Sequence, residues 1–401
     1  MLRFLYKLPL YFLGFCLLVF IRLIQPFLLI RIGMLIGSRI GHFVGNTEMY
    51  ICEQKAGINV PNRRYVDLFF IPNPICNRFV EKIWKRKLTV LPSFLLAPAF
   101  RLNRFFPDHI KFTAGDTTQN DRDVFNLLMK YDSSIQFTEK EEEEGQNFLR
   151  RMGVPPGSDF VCLMVRDNAY LSHHFPRHDY SYHDYRGSSI QNYVEMTEYL
   201  SSLGFYVIRM GERVETAFPK NHPNIIDYAN SNVRSDFMDV YLGSKCYFAI
   251  STGTGWDAIP EMTRKPIVFV NFAPIGYLHT SRPGIITLIK KYKWMSTGEM
   301  LSMSDIFSSN IAFALQSNDY FRSGIILEEN SSEEITETVK EMVHYLTGKE
   351  NNYEMDLVNQ ETFWNKFPLD CVDPYKNERL HGENYSRFSN YFLRKFDKFL
   401  T

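Results

Sequence analysis

The sequence lacks most of the features that mark well-defined function classes. It has no excess charge of either sign: 45 Lys and Arg stand against 45 Asp and Glu in 401 residues, a formal net charge of zero. With no arginine-rich arm and no zinc-finger spacing, nucleic acid is not an expected partner. There are six cysteines, Cys16, Cys52, Cys76, Cys162, Cys246 and Cys371, with no C-x-x-C pair and no metal-ligand spacing. Several lie inside apolar runs such as Phe160-Val161-Cys162-Leu163, so they read as small buried hydrophobes in a reducing compartment. No G-x-S-x-G elbow, no H-E-x-x-H and no Gly-Lys-Ser/Thr after a glycine loop occurs, which sets aside three common hydrolase and nucleotidase readings. No repeat of fixed period is present.

Nor does any apolar run reach the ~20 residues that span a bilayer core. The N-terminal stretch Leu8 to Ile21 is uncharged and is bounded by Lys7 and Arg22. It spans only if those two side chains snorkel, and otherwise lies in the interface as a monotopic anchor. No small-residue cleavage site follows it, which argues against a signal peptide. A buried core helix is the rival reading for a run of this length. The expectation is a membrane-associated segment over residues 1–25 with the rest of the chain in the cytoplasm.

What is present is ordinary globular composition, 45% hydrophobic and 22% charged, in a chain long enough for two α/β domains. The 34 Phe and 23 Tyr serve core packing, a sugar-stacking surface or a membrane edge, and composition does not separate these. Phe27 to Gly33 and Tyr65 to Ile71 read as buried strands joined by the loop Gly37-Ser38-Arg39-Ile40-Gly41-His42 and a helix to about Lys55. Strand, glycine loop, helix and strand make a βαβ unit with a parallel sheet. Residues 107–145 are polar and end in the acidic run Glu139-Lys140-Glu141-Glu142-Glu143-Glu144, which suits a solvated helix start. Strands then recur at Asp159–Arg166, Phe205–Met210, Ile225–Tyr228, Cys246–Ser251 and Pro266–Asn271, alternating with helices. The fold class expected is therefore α/β, with two Rossmann-like doubly wound domains over 26–145 and 146–385, an apolar anchor helix before them and a closing helix over 386–401.

Thr252-Gly253-Thr254-Gly255-Trp256-Asp257-Ala258 carries the clearest chemical signal. It lies between a strand and a helix, where glycines let backbone amides approach a phosphate and the helix N-terminus favours negative charge. No acidic residue ends the next strand as a dinucleotide site requires, so pyrophosphate binding is the expectation. Gly37 to His42 lies where open α/β sheets bind ligands, and His42 suits a general base on an acceptor hydroxyl. The cluster His173-His174, His178, Asp179, His183, Asp184, Tyr185 and Arg186 matches no familiar zinc spacing and reads as cleft lining, with Arg166 and Arg209 at adjacent strand ends suited to a diphosphate. Asp121-Arg122-Asp123 has D-x-D form, but it opens a helix and N-capping explains it.

Taken together, IRIGMLIGSRIGHF, HDYRGSSIQNY, VIRMG and STGTGWDAIPEM…KPIVFVN resemble a family of bacterial glycosyltransferases associated with surface-polysaccharide synthesis. The resemblance covers the chain from about residue 25 onward. It implies a GT-B-like enzyme that moves a sugar from a nucleotide-sugar donor to a glycan or lipid-linked acceptor, at the cytoplasmic face of the bacterial inner membrane. It implies no cofactor and no metal. Gly41 and His42 resemble the glycine and base of the first βα loop, with Arg39, His183, Asp184, Tyr185 and Arg186 lining the cleft. Thr252 to Gly255 resemble the diphosphate loop, with Arg166 and Arg209 beside it and Glu261 where such enzymes hold the donor's ribose or sugar. The resemblance also implies that the last helix crosses back to the first domain. A pyruvyl transferase or nucleotide-sugar epimerase of the same shape, a non-catalytic glycan- or nucleotide-binding scaffold, and a metal-dependent hydrolase built on the histidines remain as alternatives.

Overall fold

A computed structural model describes residues 8–115, 122–166, 181–212, 214, 216–219, 221–309, 311–349 and 353–401. The chain divides into two compact units, one of residues 1–122 and 130–136, the other of residues 123–129 and 137–401.

The first unit is built on one βαβ element, as its sequence predicts. Strands β1 (Leu29–Met34) and β2 (Tyr65–Phe70) pair in parallel, and helix Ile40–Lys55 makes the crossover. Single bridges add Thr113 beside Ile32 and Val90 beside Phe69, so the sheet is leaner than a doubly wound domain. The register places Arg31 opposite Asp67. The guanidinium donates to both carboxylate oxygens at 2.6 Å, and the Tyr50 hydroxyl donates to the same carboxylate at 2.5 Å. Both partners are 8% exposed, a setting in which losing one charge costs about 3–5 kcal/mol. Residues 130–136 are tied down by buried Glu48, whose carboxylate accepts from the Ser134 amide at 3.0 and 3.2 Å.

The N-terminal segment corrects the anchor expectation. Leu8–Ile24 is a 17-residue helix, and among the described residues no helix is long and apolar enough to cross a membrane. Its Gly14, Leu18 and Ile21 face is buried, packed on helix Ser93–Asn103. Leu18 and Ile21 join Leu29, Ile32, Phe70 and Leu96 in one core cluster. Gly14 permits the close approach, because a Cβ there would stand 2.8 Å from the Ala99 nitrogen. Burying each of the two aliphatic side chains contributes about 1.5–3 kcal/mol. An apolar run read as a lipid contact is thus one wall of this unit's core, although Phe12, Leu13, Phe20 and Leu23 on its other side are exposed.

The second unit carries a seven-stranded parallel sheet of order β11-β8-β7-β6-β3-β4-β5. Its strands are β3 (Phe160–Met164), β4 (Tyr206–Met210), β5 (Ile225–Ile226), β6 (Ala249–Ser251), β7 (Ile267–Phe272), β8 (Ile285–Ile289) and β11 (Arg387–Phe388). The central strands are apolar on both faces because helices cover both, the pattern of a buried parallel sheet. Strands β9 (Lys291–Trp294) and β10 (Ile325–Glu328) form a separate antiparallel ribbon. The acidic run opens helix Glu139–Arg151 as predicted, with Thr138 and Glu141 in a reciprocal capping box. The helix expected after Asp123 is reduced to a single turn, Leu127–Met129, and Asp123 accepts from the Leu127 and Leu128 amides at 2.7 and 2.8 Å. Residues 386–401 do not form one helix. Ser389 interrupts them, ending β11 and capping the short helix Asn390–Lys395, which packs on helices Ser332–Thr347 and Glu354–Lys366.

From β3 the chain moves outward through β4 to β5. Helix Asp236–Lys245 then returns it to β6 on the other flank of β3. The strand order therefore reverses between β3 and β6, and the carboxyl ends of those two strands are where open α/β sheets form their ligand crevice.

Candidate functional site

The β3/β6 crevice is assembled from three pieces of chain. The first is the end of β3, where the Arg166 amide donates to the Thr252 Oγ1 at 2.9 Å. The second is the turn after β6. Gly253 has φ +79°, and a Cβ there would lie 3.2 Å from the Phe272 ring, so the position requires glycine. The third is the segment from Tyr185 to Tyr193. The Ser188 amide donates to the Arg166 carbonyl at 3.1 Å, and the Arg186 guanidinium donates to the Gly253 carbonyl.

The turn does not present its amides in the way its sequence predicts. The Thr252 amide donates to the Met164 carbonyl at 3.2 Å and the Gly253 amide to the Ser251 Oγ at 3.3 Å. The Thr254 amide donates to the carboxylate of Asp257, which also accepts from the Thr254 hydroxyl at 3.1 Å. Three of the four expected phosphate-facing amides are therefore already engaged, one on β3 and two within the turn, and Gly255 is the residue it exposes. Burial pushes the Asp257 carboxyl up to about 6, against the hydrogen bonds from Ser251 and Thr254.

Positive charge at the crevice comes from side chains. Burial and then repulsion from Arg186 bring Arg166 down to about 10. Among the described residues, neither guanidinium has a carboxylate within salt-bridge distance. Lys290, at the end of β8, is 3% exposed and donates to the Gly187 carbonyl at 2.6 Å. Burial lowers its ammonium to about 8. The Glu329 carboxylate accepts from Ser188 Oγ, the Ser189 amide and Asn192 Nδ2 at 2.9–3.2 Å, fixing the same segment from the other side.

The other expected residues fall in different places. Arg209 does not open on the crevice: it is 1% exposed, donates to the Thr216 carbonyl at 2.6 Å and lies 3.6 Å from Asp227. Glu261 is buried, with Oε1 2.9 Å from His279 Nδ1, and the His279 ring stacks on Phe269 at 4.7 Å. Tyr185 is buried against Tyr320 and its amide donates to the Ser317 Oγ, whereas Asp184 is exposed. His173, His174, His178, Asp179 and Asp121 lie outside the described residues, as does the side chain of His183. Among the described residues no group of three His, Cys, Asp or Glu is placed to hold a metal.

In the first unit, the Gly37–His42 loop follows β1 as expected. Arg39 is exposed at the N-cap of the crossover helix, and Gly41 and His42 are half-buried in its first turn. His42 Nδ1 lies 3.2 Å from Asn46 Oδ1, one helical turn on. An amide oxygen facing Nδ1 calls for a proton there, and in the neutral imidazole the lone pair is then on Nε2.

Sequence reasoning missed Lys290, Asn271, Glu329 and Asp257. Lys290 had a signal, a lysine pair directly after the apolar run Ile285–Ile289. Asp257 had one too, the Thr254-x-x-Asp257 spacing of a capping box, whereas Asn271 and Glu329 act through long-range hydrogen bonds that leave no local pattern.

The sequence matches no family profile and no curated protein sequence. Among solved structures, it is similar to the glycosyl transferase family 9 protein from Veillonella parvula DSM 2008, at 12% identity over 79% of this chain and 97% of that one, with a TM-score of 0.45. It is similar to E. coli ADP-heptose lps heptosyltransferase II at 11% identity, over 60% of this chain and 84% of that one, with a TM-score of 0.32. UDP-GlcNAc 2-epimerase from Methanocaldococcus jannaschii stands at 11% identity, 65% and 89% coverage and a TM-score of 0.31. Likenesses at this level carry no activity over to the present chain.

Proposed function

We propose that the protein is a glycosyltransferase that moves a sugar from a nucleotide-sugar donor to a glycan or lipid-linked acceptor. The observation that carries the reading is the pair Arg166 and Arg186, stapled together by the Ser188–Arg166 bond at the β3/β6 switch point and resting on the Thr252–Gly255 turn. Two guanidiniums held close enough to repel each other favour an anion with two charged groups, and a diphosphate presents such a pair.

In this reading the bond between the anomeric carbon and the diphosphate oxygen breaks as the acceptor oxygen attacks that carbon. Arg166 and Arg186 stabilise the charge that develops on the leaving nucleoside diphosphate. His42, with its Nε2 lone pair, is assigned the acceptor proton. Charge neutralisation by arginine makes the proposed route metal-independent.

The test is a panel of nucleotide-sugars against the purified full chain, following thermal stability and nucleoside diphosphate release. A donor at a hundred times its Kd stabilises by about 2.7 kcal/mol. One donor should raise the melting temperature and release its diphosphate, and Arg186→Ala should weaken both effects at the same donor concentration. If no nucleotide or nucleotide-sugar shifts the melt, the proposal fails.

A further inference from the structure

The second unit has a surface groove that the crevice chemistry does not use. It lies between helix Glu354–Lys366 and the segment around β11, and has a volume of about 290 Å³. Strand β11 is four strand positions from β3, roughly 19 Å at the usual strand spacing, so the groove is not part of the β3/β6 crevice. We propose that this groove binds a neutral oligosaccharide.

The lining supports that ligand class in two ways. First, aromatic rings reach the surface there: Tyr353 is 58% exposed, Tyr385 is 40% exposed and Trp364 is half-buried. Two of these rings are held by their polar ends. The Trp364 indole N–H donates to Gln360 Oε1 at 3.2 Å, and the Tyr385 hydroxyl donates to Glu383 at 2.6 Å. Rings fixed in this way offer flat apolar faces without a further ordering cost on binding. The apolar face of a pyranose suits them.

Second, the lining carries one carboxylate, Asp356, and one cation, Arg387. Asp356 accepts from the Arg394 guanidinium at 2.6 and 2.7 Å, and the Arg387 guanidinium lies 4.7 Å from the Tyr345 ring centroid. The remaining polar side chains are neutral, Asn384 and Asn390 among them. A single cation balanced by a carboxylate makes no cluster that selects a phosphate, whereas amides beside aromatics fit hydroxyl groups. The size, at the lower end of the roughly 300–1,000 Å³ of small-molecule sites, accommodates one or two sugar rings rather than a nucleotide.

The experiment is calorimetric titration of the purified full chain with linear neutral oligosaccharides of glucose, galactose, mannose and N-acetylglucosamine, four to six units long. One series should bind saturably. Tyr353→Ala and Tyr385→Ala, both at exposed positions, should weaken it by roughly tenfold with unchanged melting temperature. Both variants should keep any thermal response to nucleotide-sugar, and Arg186→Ala should keep the oligosaccharide affinity, so a failure of the donor reading is seen separately. The proposal is overturned if no series binds, if the two variants bind as the parent does, or if only amphipathic peptides occupy the groove.

Discussion

Asn271 at the end of β7 and Asn330 ahead of helix Ser332–Thr347 exchange hydrogen bonds, each backbone amide donating to the other's Oδ1 at 2.6 Å. Both residues are fully buried, and Asn271 sits at φ +51°, a conformation its short polar side chain tolerates. Asn271 Nδ2 also donates to Ser188 Oγ and the Tyr193 hydroxyl at 3.0 and 3.1 Å. The pair thereby joins the sheet to the segment that carries Arg186. Asn330→Ala removes the acceptor for one buried amide and the donor to the Ile289 carbonyl, and two such losses cost about 2–4 kcal/mol. Denaturant unfolding checks this; a loss below about 0.5 kcal/mol contradicts the clamp.

Arg166, Arg186 and Arg209 separate binding from folding. Arg186→Ala and Arg166→Ala should each weaken nucleoside diphosphate binding by about 1.5–3 kcal/mol, roughly ten- to a hundredfold, with modest change in stability. Arg209→Ala should do the reverse, because its buried guanidinium donates to the Thr216 carbonyl and lies 3.6 Å from Asp227. A similar 1.5–3 kcal/mol should then appear in unfolding, and donor affinity should remain. Paired binding and unfolding measurements on the three variants decide the matter.

The contrast between those arginines marks what the sequence made legible. Strand ends and the Gly253 turn were readable, because apolar runs and glycine punctuate the chain locally. Arg209 and Arg166 both end apolar strands and look alike in sequence. Only the Asp227 and Thr216 contacts, from a segment beyond β4, bury the first and leave the second at the crevice. Glu261 likewise looked like a ligand contact until His279, 18 residues on, occupied its carboxylate. The apolar N-terminus was misread for a related reason: its partner surface, around Pro98 and Ala99, lies more than 80 residues away. Strand β11 was missed because its two residues are too few to form a pattern.

Buried carboxyls make the second unit sensitive to pH, Asp239, which burial also pushes up to about 6, as well as Glu341 and Asp257. Burial pushes Glu341 up to about 7, although it accepts from the Asn390 and Tyr391 amides and Ser389 Oγ, and pushes Asp257 up to about 6. A carboxyl raised in the folded state binds its proton more tightly there than when unfolded. Its contribution is fully present below the ordinary carboxylate range and fades as pH rises through about 6 for Asp257 and about 7 for Glu341. For Glu341, a rise from 4.5 to about 7 corresponds to at most about 3 kcal/mol. Melting temperature should therefore fall from pH 5 to pH 8, and Glu341→Gln should flatten that slope. A slope unchanged in the variant removes Glu341 from this role.

His42 and Asn46 give the proposed base its clearest test. Asn46 Oδ1, 3.2 Å from Nδ1, holds the imidazole tautomer whose Nε2 accepts a proton. His42→Ala should lower turnover by 10²–10⁴, the usual contribution of a general base, and leave donor-induced stabilisation intact. Asn46→Asp keeps an acceptor at Nδ1 but adds a negative charge, which favours the imidazolium and raises the pKa of His42. The acidic limb of the rate profile should then move to higher pH, with maximal turnover reached only above it. Asn46→Leu removes the acceptor and frees both tautomers, so turnover should fall a few-fold with no such move. A structural role for Asn46 alone predicts equal loss of stability in both variants and an unmoved limb. Because the limb shifts only if the titrating group touches Asn46, the pH profile of Asn46→Asp assigns the base to His42 or takes it away.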